Sequence, residues 1–144
     1  MEHMDTAKLL RECDAGVKMA ITSIDEVLEY VQDAELKKIL QESKSEHQEL
    51  EKEIDTLLSA HGMHEKEPHP VAKGMSWMKT NMKLAMNNSD QTIAVLVTDG
   101  CDMGINSLQK YLNEHENADH IAKGMCKKLI SIEEKLRKDL KKYL

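Results

Sequence analysis

The sequence predicts an all-α four-helix bundle made of two duplicated helical hairpins, with a short extra helix in the connection between them. Three observations carry that prediction. The 144 residues are 32% charged and 40% hydrophobic with only two prolines, a balance typical of helical proteins. Apolar residues recur at three-then-four spacing along four long stretches. A short motif, Cys-Asp-x-Gly, occurs twice: Cys13-Asp14-Ala15-Gly16 and Cys101-Asp102-Met103-Gly104, 88 residues apart. At that offset Val17 matches Ile105, Ala20 matches Leu108 and Ile24 matches Leu112.

The first long helix is expected over Asp5 to Gln32, with Leu10, Val17, Ile21, Ile24, Leu28 and Val31 facing inward and Asp14 set into the same stripe. After a polar break at Asp33 and Ala34 the second runs over Ala34 to Ala60. Its stripe passes from Leu36, Ile39 and Leu40 through Ser43 and His47 to Leu50, Ile54 and Leu58. His61-Gly62 closes it, glycine being a natural residue just past a helix end.

Met63 to Pro70 reads as a loop, because its prolines interrupt a helix. Pro70 can open the short extra helix over Val71 to Met86, where Met75, Met78, Met82 and Met86 share a face beside Trp77. Asn87 to Asp90 form a turn and cap cluster. The third long helix follows over Gln91 to Asn113, with Val95, Thr98, Asp102, Ile105, Leu108 and Leu112 inward. Gly100 and Gly104 each weaken a helix interior by roughly 1 kcal/mol relative to alanine. Together with Gly16 they suggest that the first and third helices cross closely at the two motifs. The fourth helix fills His120 to the C-terminus, with Cys126, Leu129, Glu133, Leu136, Leu140 and Tyr143 as its stripe. It aligns with the second helix at an offset of 86, so that His47 corresponds to Glu133.

Each long helix therefore interrupts its apolar seam with a polar residue: Asp14, His47, Asp102 and Glu133. A carboxylate in an apolar seam costs several kcal/mol unless it is paired, protonated or bound to a metal. Four such groups at one level would make a nitrogen and oxygen site for iron, manganese or zinc. The duplicated hairpins, the long connection between the second and third helices and the inward acids on the first and third resemble the ferritin-like superfamily. The Cys101-to-Gly104 segment, with Tyr111 on the same helix, is similar to a bacterial domain family of unknown function within it.

The resemblance implies a dinuclear pattern of one carboxylate from each of the first and third helices and a Glu-x-x-His from each of the second and fourth. Asp14 and Asp102 match the single carboxylates, and His47 matches the second helix's histidine. Lys44 stands where that helix's glutamate belongs, Glu133 takes the fourth helix's histidine place, and Ile130 takes the place of its glutamate. No Glu-x-x-His occurs in the chain, which argues against a dinuclear iron oxidase. The alternatives are a depleted metal site at Asp14, His47, Asp102 and Glu133, or a metal-free cluster in which Lys44 pairs with Asp14 or Asp102.

His61, His64 and His69 lie in a proline-broken stretch and read as a solvated loop. The methionine face reads as amphipathic packing, although thioethers also suit Cu(I). The net charge of −6 argues against a nucleic-acid partner. No apolar run approaches the roughly 18 residues of a membrane span. The three cysteines, an odd count without a secretory leader, point to a reducing cytoplasm and to buried thiols. No phosphate loop, nucleophile elbow or Cys-x-x-Cys is present. Two functional readings follow: a ferritin-like bundle with a degenerate metal site, or a helical interaction module whose methionine-rich segment supports self-association, as in a homodimer, or binds another partner.

Overall fold

The computed structural model describes residues 2–62 and 89–144. Four helices occupy them: α1 (Glu2–Leu28), α2 (Ala34–Ala60), α3 (Asp90–Glu114) and α4 (His120–Asp139), the last followed by a 3-10 turn over Lys141–Tyr143. No strand is present among the described residues, and no helix there is long and apolar enough to cross a membrane. The expected extra helix over Val71 to Met86, with Trp77, His64 and His69, lies outside the described residues.

The starts of α2, α3 and α4 share one chemical device. Asp33, Ser89 and Asp119 each sit at the N-cap in extended conformation and accept from the backbone N–H three residues on. Each such bond satisfies a donor that the first turn cannot pair internally. Past Ala60, Gly62 takes a left-handed φ of 69°, which a side chain would resist, and this ends α2. The first helix stops at Leu28, not at Gln32 as its apolar pattern suggested. Residues 29–33 turn the chain instead, and the Gln32 and Asp33 N–H groups donate to the Asp90 carboxylate at 2.9 and 3.0 Å.

Those two bonds fix the topology by placing the start of α3 at the α1–α2 turn. At the other end of the bundle the Asp119 N–H donates to Thr6 Oγ1 at 2.8 Å, which sets the α3–α4 turn beside the start of α1. The C-terminal turn then returns to the first end, where the Tyr143 hydroxyl donates to Asp33 Oδ2 at 2.6 Å and Lys142 pairs with Glu35. The helices therefore run up, down, down, up, and residues 63–88 join opposite ends of the bundle. Helices α2 and α3 both pack on α1 and α4.

The apolar core falls into two clusters. One, around Leu9, Val17, Ile54, Leu58 and Leu129, lies toward the α3–α4 turn. The other, around Ile24, Leu36, Leu40, Ile93 and Leu140, lies toward the α1–α2 turn. Buried His47 and Glu133 fall between them along α2 and α4. A buried polar residue thus interrupts the seam at mid-length on α2 and α4, and Asp14 does so on α1.

Two expectations fail on α3. Val95 is 40% exposed, and the inward register runs through Ile93, Ala94, Val97, Thr98, Cys101 and Leu108. The stripe is rotated by one residue, so that Cys101 takes the core position that the pattern gave to Asp102. The motif glycines also behave differently from expectation. A Cβ on Gly16 would meet Leu129 at 3.8 Å, and one on Gly104 would meet the Glu133 carboxylate at 3.6 Å. Both glycines therefore face α4, not each other, and both distances are ordinary van der Waals contacts. Gly16→Ala and Gly104→Ala are each expected to raise stability by about 0.5–1 kcal/mol, since alanine fits and restricts the unfolded chain. Urea denaturation midpoints check this, and a loss of more than about 1 kcal/mol at either position would show that the helices need the bare backbone.

Candidate functional site

The four residues singled out from the sequence do not gather into one site. His47 and Glu133 meet, Asp14 belongs to a second cluster on the α1–α2 seam, and Asp102 lies at the partly exposed edge of α3.

His47 is fully buried on α2. Its Nδ1 lies 2.7 Å from the carbonyl oxygen of Ser43, one turn back, and its Nε2 lies 3.4 Å from Glu133 Oε1 on α4. Residues equivalent in the internal repeat thus face each other across the bundle. Burial alone would push the imidazole's pKa down, but the hydrogen bond and charge of Glu133, helped by the Ser43 carbonyl, outweigh it and the net direction is up. Cys101 approaches the same carboxylate from α3. Its burial, then the Glu133 charge, hold the thiol far above its ordinary range, so it stays protonated.

Asp14 is also fully buried, on the side of α1 that meets α2. Lys18, one turn on, donates to Asp14 Oδ1 at 2.6 Å and to Asp55 Oδ1 at 3.1 Å, and lies 3.6 Å from Glu51. One ammonium therefore serves three carboxylates from two helices. Asp14 Oδ2 has no hydrogen-bond partner among the described residues. Burial, then the neighbouring Asp55 carboxylate, raise the Asp14 carboxyl to about 7 against the opposing pull of Lys18. The same carboxylates outweigh the desolvation of Lys18 and hold its ammonium charged well above the ordinary lysine range.

The remaining expectations are corrected by register. Asp102 is about half exposed and accepts from Arg137 Nε at 2.5 Å, because the α3 stripe turns it away from the core. Lys44 pairs with neither Asp14 nor Asp102. It reaches Asp25 at 2.5 Å, the partner that the antiparallel α1–α2 pairing sets opposite it. The sequence reading missed Lys18, Glu51 and Asp55. A signal for them existed: Asp14 and Lys18 on α1, and Glu51 and Asp55 on α2, are both i,i+4 pairs that meet once the hairpin closes.

The iron implied by the resemblance does not fit this donor set. Among the described residues no group of three or more His, Cys, Asp and Glu side chains is placed to hold a metal ion. His47 and Glu133 supply two donors already directed at each other, and an ammonium stands among the carboxylates around Asp14. Each of the inward ionic groups is satisfied, wholly or in part, by another side chain of the chain itself. Compared with models of known families, with curated proteins and with solved structures, the chain matches none.

Proposed function

We propose that this chain is a ferritin-like bundle that works as a helical interaction module, with its polar core setting helix register and its binding function carried at the surface. The observation behind this reading is the internal pairing of the core ionic groups: Asp14 with Lys18, His47 with Glu133, and Asp102 with Arg137 at the core's edge. The contacts that cross between helices, His47 with Glu133 and Lys18 with Asp55, penalise a helix slipped by one turn, because slippage would leave His47 or the Asp14–Lys18 pair without its partner on the facing helix. The up, down, down, up order, with residues 63–88 joining opposite ends, supports the ferritin-like assignment.

The sequence of that connecting segment supports the interaction role. Met75, Met78, Met82 and Met86 recur at helical spacing beside the chain's one tryptophan, a composition that suits adaptable apolar contacts. Self-association through it should appear as a concentration-dependent rise in mass in sedimentation experiments on the untagged protein. Met78→Lys and Met82→Lys should each reduce that association by about ten-fold or more, since burying a lysine charge in an apolar contact is strongly unfavourable. Metal analysis of the same preparation is the second arm. Iron, manganese or zinc bound at one equivalent and lost in His47→Ala would overturn the reading.

A further inference from the structure

We infer that the Asp14 carboxyl is a proton-binding site that couples the packing of α1 on α2 to pH. The geometry that carries this is a fully buried carboxylate with one oxygen on the Lys18 ammonium and the other without a partner, while the same ammonium reaches a second carboxylate, Asp55, at 3.1 Å from across the seam. A proton on Asp14 converts the orphan acceptor into a donor, and the acceptor it would serve is Asp55 across the seam. The protonated state ties α1 to α2 through both Lys18 and the shared proton. In the ionised state the same seam holds two carboxylates side by side, with one oxygen desolvated and unbonded.

The neighbouring charged groups do not remove the effect. On α1, Lys18 is the nearest cation and stays charged across the relevant range, and the Cys13 thiol is pushed up by its contact with Cys126 and by burial. On α2, Glu51 and Asp55 share Lys18 with Asp14. On α3, Tyr111 lies beside Glu12, whose charge adds to burial in raising the phenol. On α4, Cys126 faces Cys13, and Lys128 is held by Glu53 at 3.3 Å. No cation besides Lys18 is paired with Asp14 among the described residues.

The direction of the coupling follows from linkage. The folded carboxyl is raised from its ordinary 3.8 to about 7, so the folded chain holds a proton that the unfolded chain has released over that interval. The seam is therefore tightest on the acid side and loosens as pH rises through 7. The intact chain can be tested by NMR titration of the Asp14 carboxyl carbon, together with amide exchange corrected for its intrinsic pH dependence. The expected result is a midpoint within about one unit of 7 and exchange about ten-fold faster along the α1–α2 seam at about pH 8.5 than at about pH 5.5. In Asp14→Asn, whose amide can donate to Asp55 at every pH, that contrast should vanish. A carboxyl midpoint near the ordinary aspartate value overturns the inference, and so does an unchanged pH contrast in Asp14→Asn. The wild-type titration decides the matter even if the variant folds poorly.

Discussion

Replacing His47 with leucine should lower the stability of the bundle by about 3 kcal/mol, and adding Glu133→Met to that variant should recover most of the loss. The imidazole is fully buried, with an oxygen facing each ring nitrogen: the Ser43 carbonyl at 2.7 Å and Glu133 Oε1 at 3.4 Å. Only the doubly protonated ring donates to both. Removing it leaves a carboxylate that is 8% exposed with no cation opposite, and a lone charge in such a place is far worse than a pair. Removing both partners leaves an apolar contact between two apolar clusters, which is why the double variant should approach wild type. A double-mutant cycle by urea denaturation at about pH 6 checks this. If the two substitutions simply add, His47 and Glu133 are not energetically coupled.

The same pair has a defined pH signature. A histidine whose pKa is raised on folding contributes stability that is fully present below its unfolded value of 6.5 and is lost as pH rises through the folded value. The His47→Leu deficit should therefore be largest at about pH 6 and shrink toward about pH 8.5. Asp14 works in the same direction, since a carboxyl raised on folding favours the folded state most on its acid side. Two independent buried sites, one between α2 and α4 and one between α1 and α2, thus both make the bundle firmer in mild acid than in mild base.

Much of the architecture was legible in the apolar periodicity because burial is what periodicity reports. The bounds of α2 follow from Asp33 and from His61-Gly62, whose cap chemistry is local and readable in the chain. The repeat offset matched His47 to Glu133 as equivalent positions, and the structure adds that these two side chains meet across the bundle. What was not legible was rotation about a helix axis. On α3, Thr98 and Leu108 are compatible with either of two stripes, and a shift of one residue moves a side chain by about 100°. That shift carries Asp102 out to Arg137 and Cys101 in toward Glu133. The partner of Asp14 was missed for a different reason. An acid on an apolar stripe suggests a ligand from another helix, whereas its cation lies on its own helix one turn on. Lys18 has a stem long enough to keep its head among three carboxylates while remaining 22% exposed.

That last geometry sets the second large effect. Lys18→Met should destabilise the bundle by about 2 kcal/mol at about pH 8 and by much less at about pH 5.5. Methionine keeps the apolar stem and removes the ammonium, so the change isolates charge from packing. At the higher pH the buried Asp14 carboxylate then has no counter-ion, while Asp55 and Glu51, with side chains 32% and 26% exposed, keep part of their hydration and contribute less. At the lower pH Asp14 is protonated and needs no cation. Loss of the ammonium also removes the one neighbour that pulls the Asp14 carboxyl downward, so its midpoint should move above 7 in the variant. The lysine's own raised pKa adds no further slope in this window, because its contribution is complete below 10.5 and is lost only at higher pH. Denaturation midpoints measured at both pH values decide the point. An equal loss at both would mean that Lys18 acts through Asp55 and Glu51 alone, and that Asp14 is not the group whose charge it balances.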